Sequence, residues 1–400
     1  MNIISNRVRN LSESATLEMT RKSRELKLQG RDVINLSIGE PDFNTPEIIK
    51  NAGISAINEN ITHYTPVSGF KELREAIAAK LKRDNGLDYS FNQIIVSTGA
   101  KQSIANALLA LVNPGDEVIV PAPYWVSYPE MVKMAEGKMV EIPTSIENDF
   151  KVTPEQIEAA ITGKTKVLML NTPSNPTGSY YTKDELKGIA GVIARYPDIY
   201  VISDEIYEYI NYTGKHESIA QFDEIKERVV VINGVSKGYA MTGWRIGYMA
   251  ATAEIAKACD TLQGQVTSGA SSIAQMAALQ AMKIDPATSG EIKGMVDAFR
   301  SRRDLVKSKL DEIPGMKTNL PAGAFYFYPD VTYYIGKSNG EATINNDNDL
   351  CLYLLDKTYV ALVPGSAFGT PGYVRLSYAT SEENLLDAIE RMKKALSKLL

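Results

Sequence analysis

Residues 229–249 read VVVINGVSKGYAMTGWRIGYM, and this stretch decides the fold. Val229 to Ile232 is an apolar, β-branched run of the kind that makes a buried strand. It delivers a small-residue turn, Gly234-Val235-Ser236, with Lys237 directly behind it and Arg245 inside Gly-Trp-Arg-Ile-Gly. The carboxyl end of a buried strand is where open α/β sheets place their ligands. Ser236 and Arg245 supply a hydroxyl donor and a forked cation, which together suit a phosphate. Taken alone, the string SKG is short, and a lysine on a solvated loop after a strand also accounts for it.

Working outward, the same strand-then-turn grammar recurs. Ile94 to Thr98 runs into Gly99-Ala100-Lys101 and an apolar helix, an arrangement that aims free backbone N–H groups and a positive dipole end at an anion. It is not a G-x-G-x-x-G fingerprint, so no dinucleotide is implied. Strand 117–120 leads to Pro121-Ala122-Pro123-Tyr124-Trp125, strand 166–170 to a loop holding Asn175, and strand 199–203 to Asp204-Glu205-Ile206-Tyr207. Strands alternating with helices predict a mainly parallel sheet with helices on both faces. Gly99, Trp125, Asn175, Asp204 and Lys237 then gather along one sheet edge. Each also has a plainer reading: Trp125 as core packing, Asp204 as a helix cap.

Val33 to Ile38 reads as a short strand ending at Gly39, where glycine serves either a plain turn or a close backbone approach to a ligand. A helix is expected over 46–60 and another over 71–84, with His63 to Gly69 between them. From about 283 the texture changes to a long charged helix (287–312), a loop-rich stretch, a helix (348–357), a strand (359–363), a strand (372–378) and a terminal helix. Arg375 sits in the alternating strand Tyr373-Val374-Arg375-Leu376-Ser377, either facing solvent or binding an anion. The expected division is an arm with part of a small domain (1–47), a large domain (48–282) and a small α+β domain (283–400).

The composition narrows the function classes. Four hundred residues, 44% apolar and 23% charged, are ordinary globular usage for two domains. A net charge of −5 offers no general attraction to nucleic acid or to an anionic membrane. Two cysteines, Cys259 and Cys351, far apart and without metal-ligand spacing, and two histidines offer no cysteine- or histidine-based metal site. The first residues lack the apolar core of a signal peptide, and no apolar run approaches the ~18 residues of a membrane span. A soluble, cytoplasmic protein is expected.

The motifs GEPDF, YTPVSG, APYWVSYPE, NTPSNPTG, SDEIY, SKGYAMTGWRIGY, PAGAFY and VRLSYATS, spread over essentially the whole chain, resemble those of the class I aminotransferases of fold type I. The resemblance is nearest to the bacterial aspartate aminotransferases of the I-gamma (1b) subgroup. It implies a large domain with a mainly parallel seven-stranded sheet flanked by helices, plus a smaller α+β domain. It also implies pyridoxal 5'-phosphate as cofactor, held by Lys237 as a Schiff base, with Lys237 then moving a proton as general base and acid. Asp204 would pair with the pyridine nitrogen, Tyr207 and Asn175 with the ring hydroxyl oxygen, and Trp125 would stack on the ring.

By the same resemblance the phosphate would sit at Gly99, Ala100, Lys101, Ser236 and Arg245, with Tyr64 reaching in from a second subunit of a homodimer. Arg375 would clamp the substrate α-carboxylate, seconded by Asn175, Trp125 and the backbone at Gly39. The distal carboxylate of aspartate would be read by Lys101, which has the phosphate and solvent as alternative partners. The implied activity is transamination of L-aspartate with 2-oxoglutarate in two half-reactions. Aromatic amino acid, alanine or prephenate/glutamate specificity is the alternative. Members accepting prephenate tend to carry a basic residue in the arm, where this chain has Ser12, so prephenate ranks lower. A non-catalytic regulator built on this fold would need a DNA-binding module, and the arm begins too close to Met1 to leave room for one.

Overall fold

The computed structural model describes residues 3–13 and 15–399. Ser14, in the arm, lies outside the described residues. Twelve strands are found among them: β1 Ile34–Asn35, β2 Ile94–Ser97, β3 Glu117–Ala122, β4 Lys138–Pro143, β5 Thr165–Asn171, β6 Tyr200–Asp204, β7 Val229–Gly234, β8 Gly247–Ala250, β9 Tyr326–Phe327, β10 Val360–Ala361, β11 Val363–Pro364 and β12 Val374–Ser377.

Seven of them form one sheet in the order β2-β8-β7-β6-β5-β3-β4. Only β8 runs against its neighbours, so the expected mainly parallel seven-stranded α/β sheet is borne out. Its central strands carry valine, isoleucine and leucine on both faces, because helices cover both sides. A second core gathers Met19, Val33, Ile34 and Leu36 with apolar residues from Met295 to Leu399. It also takes in Ile206, Tyr207 and Ile210 from the turn after β6, so that turn belongs to both halves of the molecule. Among the described residues no helix is long and apolar enough to cross a membrane.

The register puts the strand ends in one row. Ser97 pairs with Gly247, Gly247 with Gly234, and Asp204 with Asn171. The loops that follow β2, β3, β5, β6 and β7 therefore open on the same rim.

Several local expectations are corrected. The strand expected over Val33 to Ile38 shrinks to β1, which pairs in parallel with β10 of the second core and not with the large sheet. The chain after Asp204 is not a helix: Glu208 N–H to Glu205 C=O and Ile210 N–H to Tyr207 C=O close two successive turns. The strand expected over 359–363 divides into β10 and β11, which join different sheets. The helix expected over 71–84 is α-helical for Lys71–Lys80 and ends in a wider π turn, Leu81–Asn85. Strands β4, β8 and β9 have no counterpart in the sequence reading. Strand β4 is a largely exposed edge strand, and β8 opens on a glycine, so neither shows the apolar run that marks a buried strand.

Candidate active site

Of the site residues singled out in the sequence, all but Tyr64 and Gly99 line a single cleft of about 280 Å³ on the strand-end rim. Gly99 stands just behind it against Arg245. Tyr64 is fully exposed and outside the cleft.

Lys237 comes off the turn that closes β7. Its ammonium donates to the carbonyl of Gly39 at 2.5 Å and lies about 6 Å from the rings of Tyr207 and Phe325. Burial lowers its pKa to about 8; Arg375 and Arg245 act in the same direction, against Glu40 and Asp204. A lysine held that low has a neutral fraction at neutral pH large enough to attack a carbonyl.

Asp204 ends β6 and is buried. The Tyr128 hydroxyl donates to its Oδ2 at 2.7 Å, and the Ile206 N–H donates to Oδ1 at 3.3 Å. Burial nevertheless raises its carboxyl pKa to about 6, with Tyr128 opposing the shift. Such a carboxylate is best satisfied by a cation placed against it.

Asn175 is set by its neighbour on β5. Asn171 accepts from the Asn175 N–H at 2.7 Å and donates from Nδ2 to the Asp204 carbonyl at 2.9 Å, tying the loop to β6. Asn175 Oδ1 in turn accepts from Arg375 Nη1 at 2.9 Å, while Arg375 Nη2 donates to the Ser37 carbonyl at 2.6 Å. The solvent-facing reading of Arg375 is wrong: the residue is 2% exposed, and its guanidinium lies over the rings of Tyr326 (4.6 Å) and Phe368 (5.0 Å). Its Nε has no hydrogen-bond partner, and no carboxylate pairs with it among the described residues. A buried cation left in that state is suited to receive an anion.

The other end of the cleft is also cationic. Gly99 precedes the helix Ala100–Leu111 at φ +82, and a Cβ there would lie 2.3 Å from Arg245 Nη2. Gly247 is equally confined, since a Cβ would meet the Ala100 nitrogen at 2.1 Å. Two glycines thus bring a helix N-terminus and a guanidinium together, with Ser236 beside them on the cleft wall. Arg245 is anchored by Nη1 donating to the Thr242 carbonyl at 2.8 Å. Lys101 holds its ammonium 4.8 Å above the Trp125 ring, and partial burial and Arg245 lower its pKa.

These residues fit pyridoxal 5'-phosphate. They offer an anion cradle at one end, an aromatic wall, a buried carboxylate in need of a cation, a low-pKa lysine and a second anion site beyond it. Three contributors are absent from the sequence reading: Tyr128, Asn171 and Tyr326. Tyr128 stands three residues after Trp125, at the start of the helix Tyr128–Met134, and packs edge-on against that ring; the spacing is visible in the sequence, its target is not.

The family model described as aminotransferase class I and II matches residues 31–392. The chain is 49% identical to a bifunctional aspartate aminotransferase and glutamate/aspartate-prephenate aminotransferase of Petunia hybrida, over 98% of this chain and 82% of that one. It is also 49% identical to a probable aspartate/prephenate aminotransferase of Rhizobium leguminosarum bv. phaseoli, over 95% of each. Its structure is similar to that of the aspartate aminotransferase from Rhizobium meliloti, with a TM-score of 0.95, 42% identity and 99% of each chain covered.

Proposed function

The chain belongs to the class I and II aminotransferases, which depend on pyridoxal 5'-phosphate, and from that premise we propose that it transfers the amino group of L-aspartate to 2-oxoglutarate, giving oxaloacetate and L-glutamate. The observation that carries this reading is the pairing, in one cleft, of a low-pKa lysine with a buried arginine that lacks a carboxylate partner.

When bound, pyridoxal phosphate supplies an electron sink for the pair left by the breaking Cα–H bond. The residues proposed to hold it are those of the cradle (Gly99, Ala100, the backbone of Lys101, Ser236, Arg245) for the phosphate, with Trp125 on the ring face, Asp204 at the ring nitrogen, Tyr207 and Asn175 at the ring oxygen, and Lys237 as the covalent anchor. Arg375 and Asn175 hold the substrate α-carboxylate, with Trp125 and the backbone at Gly39 beside them, and so fix which bond at Cα faces the cofactor. Lys237 Nζ, once free of its anchoring bond, would take the Cα proton and deliver it to the cofactor carbon that it had anchored, which its lowered pKa suits. Lys101 receives the distal carboxylate of aspartate or 2-oxoglutarate. A second half-reaction with 2-oxoglutarate runs the same proton in reverse.

We take residues 48–282 as the cofactor-binding domain, 283–400 as the small domain, and 1–47 as the arm completing it. Thr16 and Leu17 of the arm line the cleft, which suits a covering role. The enzyme is proposed to act in the cytoplasm as a homodimer with shared sites. Tyr64 is free to enter a partner's cleft, and the helix Glu47–Asn58 leaves Ile48, Ile54 and Ile57 exposed. Sedimentation at working concentration, with Tyr64→Phe tested for weaker cofactor retention, checks this.

The names of the relatives favour a second reading in which prephenate is also an acceptor. Against it, residue 12 is a serine whose N–H is bound to Glu130, so that position supplies no cation. The deciding experiment is a half-reaction: the yellow enzyme is mixed with L-aspartate alone, and its visible absorbance is followed. Loss of the band, restored by 2-oxoglutarate, supports the proposal. An unchanged band with aspartate but loss with phenylalanine or alanine defeats the substrate assignment.

A further inference from the structure

Tyr326 lies on β9, at the cleft wall, and touches three separate parts of the site. It is fully buried, and its hydroxyl meets the Tyr207 hydroxyl at 2.8 Å. The guanidinium of Arg375 stands 4.6 Å above its ring. The backbone of Gly39 closes over its hydroxyl so tightly that a Cβ there would lie 2.6 Å from the oxygen. The Gly39 carbonyl is the group that accepts from Lys237.

Either phenol of the Tyr207–Tyr326 pair can donate to the other. The cation decides between them. A guanidinium stacked on Tyr326 stabilises negative charge on that phenol most directly, which makes Tyr326 the better donor and leaves the Tyr207 proton free for the cleft. The other charged groups facing the pair are Asp204 and Lys237, and neither bonds to either hydroxyl.

We propose that Tyr326 is a positioning residue with two separable duties: its ring supports Arg375, and its hydroxyl donates to Tyr207 so that Tyr207 keeps its own proton for the ring oxygen of the cofactor. The substrate clamp and the cofactor ring are thus joined through one side chain. This rests on the cofactor placement proposed above.

The test uses the holoenzyme and reads the pH midpoint of its visible absorbance, together with the affinity for succinate, a dicarboxylate without an amino group. An oxygen receiving weaker donation keeps more negative charge and holds the neighbouring proton more tightly. Tyr326→Phe is therefore expected to raise the midpoint by on the order of half a pH unit while succinate affinity stays within about twofold. Tyr326→Leu also removes the ring, and succinate binding should weaken about fivefold or more. Tyr207→Phe should move the midpoint in the same direction, and adding Tyr326→Phe to it should move it no further, because one hydroxyl acts through the other. A Tyr326→Phe midpoint equal to wild type, or a double-variant shift equal to the sum of the singles, overturns the inference. A wild-type chain with no titrating visible band that borohydride fixes to Lys237 overturns the cofactor placement first, and this inference with it.

Discussion

Arg375 and Asn175, two hundred residues apart in sequence, meet at 2.9 Å, the arginine on β12 of the second core and the asparagine on the loop after β5 of the large sheet. The contact leaves the guanidinium oriented but uncompensated: Nε is buried without a partner. A carboxylate arriving there gains charge-assisted hydrogen bonds without first breaking an ion pair. Arg375→Ala should therefore cost about 3–4 kcal/mol of transition-state binding, a fall of ~10²–10³ in kcat/KM. Arg375→Lys should recover only a small part, since an ammonium cannot reproduce the planar fork. Steady-state kinetics with aspartate measures both, and a Lys variant near wild type would defeat the bidentate assignment.

Lys101 separates the proposed substrate from its alternatives. Its ammonium sits over the Trp125 ring and has no carboxylate partner among the described residues, so a distal carboxylate is free to take it. Lys101→Ala is expected to lower kcat/KM for aspartate by ~10–100-fold and for phenylalanine by less than about threefold. Equal losses for both would mean that the Lys101 side chain serves only the phosphate, beside its backbone, and does not read the distal carboxylate.

Much of the site is legible in the sequence, and the reason is covalent. The strand-end positions are fixed by chain order once a parallel sheet is granted, so Gly99, Trp125, Asn175, Asp204 and Lys237 can be collected by grammar alone. Arg375 requires the resemblance, because an arginine in an apolar strand has no local signature that separates a buried clamp from an exposed side chain. Tyr326 and Tyr128 escape because their significance lies in what they touch, Tyr207 and Asp204, at separations of 119 and 76 residues. Strand β1 misleads for a related reason: Val33 to Ile38 has strand composition, but its partner, β10, is chosen by tertiary packing.

Asp204 carries a cost that the proposed contact with the cofactor's ring nitrogen would relieve. In the apoenzyme its folded-state pKa is about 6 against 3.8 for the free side chain, so the native state binds more protons than the unfolded state between those values. The stability linked to its protonated form is thus present below about pH 4 and lost as pH rises through about 6. Asp204→Asn removes the charge and keeps the shape. The apoenzyme of this variant should be more stable than wild type at pH 7.5, by at most about 3 kcal/mol, with the gain shrinking as pH falls from about 6 toward 4. Its affinity for pyridoxal phosphate should fall at the same time. Thermal melts of both apoenzymes across that range check the sign; a gain that grows on acidification would contradict it.

Gly99 permits a last prediction in which backbone strain and collision can be told apart. Its φ of +82 with ψ 157 lies in a region open essentially to glycine alone, so a side chain there costs on the order of 1–3 kcal/mol, and its Cβ would strike Arg245 Nη2 at 2.3 Å. Gly99→Ala should therefore lower the melting temperature by a few degrees and also displace the guanidinium from the proposed phosphate cradle. Losing one charge-assisted contact to phosphate weakens pyridoxal phosphate binding by about tenfold or more. Gly86 gives the control, having φ +70 and open space, with nothing within 4 Å of where a Cβ would stand. Gly86→Ala, at ψ 12 in the left-handed region, carries a milder backbone penalty of about 1–2 kcal/mol and should melt earlier while binding the cofactor as wild type does. If both variants lose cofactor affinity alike, global destabilisation explains the loss. If only Gly99→Ala does, the glycine is there to let Arg245 reach the anion, and its absent side chain is part of the binding site.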